Sequence, residues 1–91
     1  MSEKLVKEAL KKYLKEIGAY YYMPVPMGMG ATTLDFLVCH KGKFYGIETK
    51  RPQVNSATAR QRFVMESIVE AGGEAWVENS VDLKMTQERL K

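Results

Sequence analysis

Three residues could together carry metal-dependent chemistry: Asp35, Glu48 and Lys50. Asp35 lies in one strongly apolar segment, and Glu48 and Lys50 form a Glu-x-Lys pattern at the end of the next. Lys41-Gly42 between the two segments predicts a two-residue hairpin loop. Counting outward from this loop places Asp35 opposite Glu48, and strand alternation places Lys50 on the same face. The pattern therefore predicts two carboxylates and one ammonium at one place.

Two opposed carboxylates repel each other, so something must offset their charge. A divalent cation would do so, because hard ions such as Mg²⁺ bind carboxylate, water and phosphate oxygens. A raised pKa that keeps one carboxyl protonated is a second solution, and a plain ion pair with Lys50 is a third. With a metal, the Lys50 ammonium could orient a water and stabilise charge on a transferring phosphoryl group. The residues alone leave these alternatives open.

Two segments with apolar residues at gaps of three and four predict helices that frame the hairpin, and a third segment is a possible last helix. Ser2 and either Asn55 or Ser56 are the expected N-caps, and Gly18 and Gly72 are expected to end the first two helices. The segments are residues 2–17, 55–71 and 80–90.

Four aromatic or apolar runs predict strands: residues 19–25, 32–40, 43–50 and 74–78. The predicted order is therefore α-β-β-β-α-β-α. A helical connection after the hairpin indicates a small mixed α/β sheet flanked by helices on both faces.

Composition and length set the broad class. The 91 residues predict a single domain over residues 1–91, with 45% apolar and 27% charged residues. This composition excludes disorder, and no apolar run is long enough for a membrane span. The single Cys39 and the lack of a signal-like N-terminus predict an intracellular protein. The net charge of +3 mildly favours a polyanionic partner.

Further polar residues lie near the predicted site. Gln61 occupies the otherwise apolar face of the second helix, where an amide either finds a hydrogen-bond partner or reaches water. Glu3 suits the positive end of the first helix. Arg51 and Arg60 lie on the segments that leave and enter the site, and together with Arg62 they could bind phosphates.

A set of these residues resembles the virus-type replication-repair nuclease domain, VRR-NUC, of the PD-(D/E)xK nuclease superfamily. The resemblance runs from Glu3 to about Glu78, and Leu34 stands where the family has Pro. The residues that carry it are Gly30, Asp35, Glu48-Thr49-Lys50, Gln61 and Gly72-Gly73.

The resemblance implies roles for the residues that match the family motif. Asp35 and Glu48 would be ligands of Mg²⁺ or Mn²⁺, with the Thr49 carbonyl as a third ligand. Lys50 would be the catalytic lysine, and Gln61 would support the site from the second helix. The chain would then hydrolyse DNA phosphodiester bonds.

The resemblance also implies less direct roles. Glu3 falls on the family's first-helix Glu, a further metal ligand, and Gly30 would contact DNA. The resemblance implies a restriction-endonuclease-like core and a location in the cytoplasm of a bacterial or phage-infected cell. Stand-alone, phage-like members look like Holliday-junction resolvases, so we expect a homodimer that prefers branched DNA. The exposed aromatic and Met-rich stretch Tyr20–Met29 is our candidate for part of its interface, and the alternative is a strand of the core sheet followed by a loop. The alternative hypotheses are a non-catalytic nucleic-acid-binding module and a protein-interaction subunit, in which the charged residues form only an ion-pair cluster.

Overall fold

The computed structural model describes residues 2–25 and 33–90, and Gly30 lies outside them. The predicted order of elements is confirmed. No helix in the described ranges is both long and apolar enough to cross a bilayer. The elements are α1 (Glu3–Glu16), β1 (Tyr20–Tyr22), β2 (Phe36–His40), β3 (Lys43–Thr49), α2 (Ala59–Glu70), β4 (Glu74–Glu78) and α3 (Lys84–Arg89).

The four strands form one mixed sheet in the order β1-β2-β3-β4. The first two pairings are antiparallel and the β3–β4 pairing is parallel, which requires the crossover that α2 supplies. The β2–β3 loop has two residues, Lys41 and Gly42, both with positive φ (51° and 80°), as the tight turns that match strand twist require. His40 pairs with Lys43, so the predicted register is confirmed.

Helices α1 and α3 cover one face of the sheet. A continuous apolar core forms there, because the inward-facing residues of the strands alternate with those of the opposite face. Tyr45 and Trp76 meet edge to face within it, with ring centroids 5.7 Å apart. The core consists of Leu10, Leu14, Phe36, Val38, Tyr45, Ile47, Trp76, Leu83 and Leu90.

Helix α2 lies on the opposite face, close against β3. A Cβ placed on Gly46 would lie 2.5 Å from Ile68 Cδ1 and 2.8 Å from Leu34 Cδ1, so a larger residue there would require these two side-chain ends to shift. None of the residues of α2 is fully buried, and the predicted inner residue Ala71 is exposed. The prediction for Ala71 is therefore wrong, because α2 ends at Glu70 and its partly buried face runs from Gln61 to Ile68. The predicted cover on both faces is correct.

The ends of several elements differ from the predictions. Strand β2 begins at Phe36, not at residue 32, and β1 is confined to Tyr20–Tyr22. Helix α2 is capped by Thr58 rather than by Asn55 or Ser56. The reason is a reciprocal pair of hydrogen bonds between Thr58 and Gln61, a capping box that neither earlier residue can form at this spacing. Ser2 does occupy the N-cap position of α1, although its side chain makes no capping hydrogen bond.

Helix α3 is held on the sheet by a buried polar network. Glu78 is fully buried, and its Oε1 accepts hydrogen bonds from the Thr86 backbone N–H and hydroxyl, both at 2.8 Å. The Thr86 hydroxyl in turn accepts from Trp76 Nε1 at 3.1 Å. A second carboxylate oxygen of Glu78 accepts from the Ser80 N–H. The network satisfies a buried carboxylate and fixes the end of β4.

Candidate active site

The two carboxylates meet where the β2–β3 hairpin opens. Asp35 directly precedes β2, and its backbone N–H donates to Glu48 Oε1 over 3.2 Å. The Glu48 side chain is nearly buried, at 6% exposure, whereas the Asp35 side chain is 25% exposed. One acid therefore lies at the base of the site and the other at its rim.

Asp35 is oriented by its neighbour across the hairpin. Asp35 Oδ2 accepts the Thr49 backbone N–H at 3.1 Å and the Thr49 hydroxyl at 2.7 Å. These two bonds hold one carboxylate oxygen and leave Oδ1 facing elsewhere. The resemblance suggested only the carbonyl of Thr49, and its donor groups were not anticipated.

Lys50 is fixed at both ends. Its backbone N–H donates to the Glu78 carbonyl at 3.0 Å, immediately after β3 ends. Its ammonium lies 3.7 Å from Glu48 Oε2, as the shared face predicted, and the side chain is 17% exposed. The Glu-x-Lys pattern therefore brings an ammonium next to the buried carboxylate.

Gln61 links the start of α2 to the site. Its Oε1 accepts the Thr58 N–H at 2.9 Å, and its Nε2 donates to Glu48 Oε2 at 2.8 Å. Both polar atoms of the Gln61 amide therefore have hydrogen-bond partners in the protein. The sequence had left open whether this amide finds a partner or reaches water. Thr58 was missed at the sequence level, although the Thr-x-x-Gln spacing is a capping-box signature that could have identified it.

A second lysine reaches the site from α1. Lys7 Nζ lies 3.2 Å from Glu3 Oε2 and 3.9 Å from Asp35 Oδ1. Sequence reasoning missed Lys7, although its i,i+4 spacing from Glu3 predicts an ion pair on a helix. Glu3 is thus connected to the site through Lys7.

The charges at the site leave Glu48 hard to ionise. Burial and, after it, the charge of the Asp35 carboxylate raise the pKa of Glu48 from 4.5 to about 7. The Lys50 ammonium lowers the pKa of Glu48, but by less than burial and Asp35 raise it. A raised pKa and a lysine partner therefore coexist in the metal-free protein.

The donor set fits a hard divalent cation. Two carboxylates whose repulsion one lysine does not fully offset are suited to Mg²⁺ or Mn²⁺, which take further oxygens from backbone carbonyls, water and phosphate. Within residues 2–25 and 33–90, no group of three His, Cys, Asp or Glu side chains could hold an ion. The pair Asp35 and Glu48 is therefore not joined by Glu3, whose role as a ligand stays a prediction.

The predicted phosphate-binding residues surround the start of α2. Arg51, Arg60 and Arg62 are all exposed. Arg62 is also held by the chain, since its Nη1 donates to the Ala57 carbonyl at 2.6 Å. Gly30, the remaining predicted DNA contact, lies outside the described residues.

Comparison with known proteins supports the fold. No protein-family model and no curated protein sequence matches the chain. A solved structure of a VRR_NUC domain does match, with a TM-score of 0.79 and 18% sequence identity, covering 98% of this chain and 97% of the other. The similarity is thus one of backbone arrangement over nearly the full length of both chains. The predicted resemblance is confirmed at this level: the protein has the VRR-NUC fold, a nuclease-like fold.

Proposed function

We propose that the protein is a divalent-metal-dependent deoxyribonuclease. The observation that carries the proposal is the convergence of Asp35, Glu48 and Lys50 at the open end of the β2–β3 hairpin, with Gln61 bonded to Glu48. An acid pair next to a lysine suits hydrolysis of a phosphodiester.

Asp35, Glu48 and the Thr49 carbonyl would hold Mg²⁺ or Mn²⁺. When bound, such an ion polarises the phosphate and lowers the pKa of a bound water. The chain's own residues prepare the rest of the site. Thr49 orients Asp35, and Gln61 orients Glu48. Lys50 is placed to position the attacking water and to stabilise negative charge that develops on the phosphate oxygens.

DNA would approach over the exposed arginines. Arg51 and Arg60 flank the segment between β3 and α2, so their guanidinium groups are available to backbone phosphates. Phosphate contacts of this kind carry little sequence information, and they make binding strongly salt-dependent. Recognition by the shape of the DNA, and a preference for branched substrates, agrees with such contacts.

A homodimer would present two such sites to one branched substrate, because a two-fold axis repeats each site. The edge strand β1 is our candidate for its interface: Tyr20 and Tyr22 are 75% and 57% exposed, while Tyr21 packs on Phe36. The remainder of the predicted stretch, beyond Val25, lies outside the described residues. Sedimentation at micromolar concentration should give twice the 10.4 kDa chain mass. A monomer that still makes paired cuts at a junction would contradict this arrangement.

The test of the activity is a cleavage assay on linear and four-way-junction DNA, with Mn²⁺ or with EDTA. Lys50→Ala should lower the cleavage rate about 100-fold or more, the range seen when a single charge-stabilising group is removed. The variant should still bind Mn²⁺, at least as tightly as the wild type, and its thermal unfolding should change little. Lys12→Ala, which removes an exposed lysine from α1, is the matched control.

Two outcomes would favour other functions. Wild-type protein that binds DNA in a salt-sensitive manner but never cuts it would indicate a non-catalytic DNA-binding module. Wild-type protein that neither binds nor cuts DNA would indicate a protein-interaction subunit. A Lys50→Ala protein that cuts at the wild-type rate would remove Lys50 from the mechanism.

A further inference from the structure

The two oxygens of the Asp35 carboxylate have different surroundings. Oδ2 is occupied by two donors from Thr49, at 2.7 Å and 3.1 Å. Oδ1 instead faces the Lys7 ammonium, 3.9 Å away. Oδ1 is thus the oxygen that a metal ion could reach most easily, and the Lys7 ammonium already lies beside it.

Lys7 also forms an ion pair with a second carboxylate, that of Glu3. Glu3 Oε2 is 3.2 Å from the ammonium, closer than Asp35, and it lies one helical turn before Lys7. A Glu four residues before a Lys is the favourable orientation for such a helix pair. The side chains of Lys7 and Glu3 are 32% and 43% exposed, so the ammonium can shift between the two acids without entering the core.

We propose that Lys7 is a positioning residue that bridges Glu3 and Asp35 Oδ1, and that it yields this oxygen to a divalent ion by pairing with Glu3 alone. The inference rests on the proposed metal site. Glu3 is then the anchor that receives Lys7, and it need not be a ligand. Lys7 limits the affinity for metal and keeps Asp35 in place when no ion is bound.

The experiment measures Mn²⁺ binding to the protein without DNA, by titration calorimetry at pH 7.5. Lys7→Met should bind Mn²⁺ about tenfold more tightly, because a unit positive charge close to the dication is removed, and in a water-like dielectric such a charge is worth about this factor. Lys7→Arg should bind as the wild type does. Lys11→Met is the matched control, because Lys11 lies on the same helix and pairs with Glu8 at 3.0 Å, and its affinity should change less than about twofold.

The role of Glu3 is tested by a double-mutant cycle with Lys7. Glu3→Gln alone should weaken Mn²⁺ binding about threefold, since Lys7 then competes more strongly for Asp35. In the Lys7→Met background the same change should weaken binding by less than about twofold, the size of a screened long-range charge effect. Weakening of about tenfold or more in that background would make Glu3 a ligand and overturn the inference.

The remaining outcomes separate the inference from the function on which it rests. Wild-type and Lys7→Met proteins that bind Mn²⁺ equally would overturn the role of Lys7 and leave the metal site standing. A wild-type protein that takes up no Mn²⁺ at millimolar concentration would overturn the metal site itself, and the inference with it.

Discussion

The hydrogen bond from Gln61 Nε2 to Glu48 Oε2 can be tested by a single substitution, Gln61→Glu. Gln61→Glu keeps the shape of the side chain and the Oε1 that accepts from Thr58, so the helix cap is retained. Only the donor is replaced, by a carboxylate oxygen placed 2.8 Å from another one. The substitution therefore changes the electrostatics of the site and little else.

The size of the effect follows from the cheapest way to relieve the repulsion, which is to protonate Glu48. With a pKa of about 7, that protonation costs little at neutral pH and about 1.4 kcal/mol for each pH unit above it. At pH 8.5 the cost is about 2 kcal/mol. For a chain of this size that corresponds to a loss of about 8–16 °C in Tm. At pH 5.5 Glu48 is already protonated and can donate to the new carboxylate, so the loss should be small.

The assay is thermal unfolding in EDTA at both pH values, followed by circular dichroism. Gln87→Glu is the matched control, because Gln87 Nε2 donates to the exposed Asp82 carbonyl at 3.2 Å and lies on α3. Its Tm should change by less than about 2 °C at either pH, as surface substitutions usually do. An equal loss for Gln61→Glu at both pH values, or no loss at pH 8.5, would refute the hydrogen bond to Glu48.

Two further predictions concern stability. Because the pKa of Glu48 is raised from 4.5 to about 7 in the folded state, the metal-free folded protein binds a proton more tightly than the unfolded chain, and this group makes stability fall as pH rises from about 4.5 to 7. Glu48→Gln should remove that part of the slope in urea midpoints measured in EDTA, and an unchanged slope would contradict the raised pKa. Thr86→Val leaves Trp76 Nε1 without a buried acceptor and removes one of the two donors to Glu78 Oε1, so it should cost about 3 kcal/mol in thermal unfolding, whereas Thr86→Ser should cost much less. Equal losses for the two variants would mean that the hydroxyl is not what matters.

Local sequence determined the hairpin and the residues that it brings together. Lys41-Gly42 can form a two-residue turn of the type that twisted strands favour, and the turn fixes the register all along β2 and β3. Strand alternation then places Lys50 on the face of Glu48, where the ammonium is observed. These features depend on neighbours in the chain, so periodicity and turn chemistry were sufficient to predict them.

Tertiary structure decided how the site is completed. The bond from Gln61 to Glu48 requires α2 to cross the sheet at the height of the β3 end, and no local pattern sets that height. The reach of Lys7 to Asp35 likewise depends on the packing of α1 against the sheet. Burial is also the main cause of the raised pKa of Glu48. The extent of burial cannot be predicted from the residues adjacent to Glu48 in the sequence. The sequence by itself therefore determined which acids and which lysine share a face, and only the packing of the helices decided what surrounds them, because contacts between distant segments depend on how whole elements fit together.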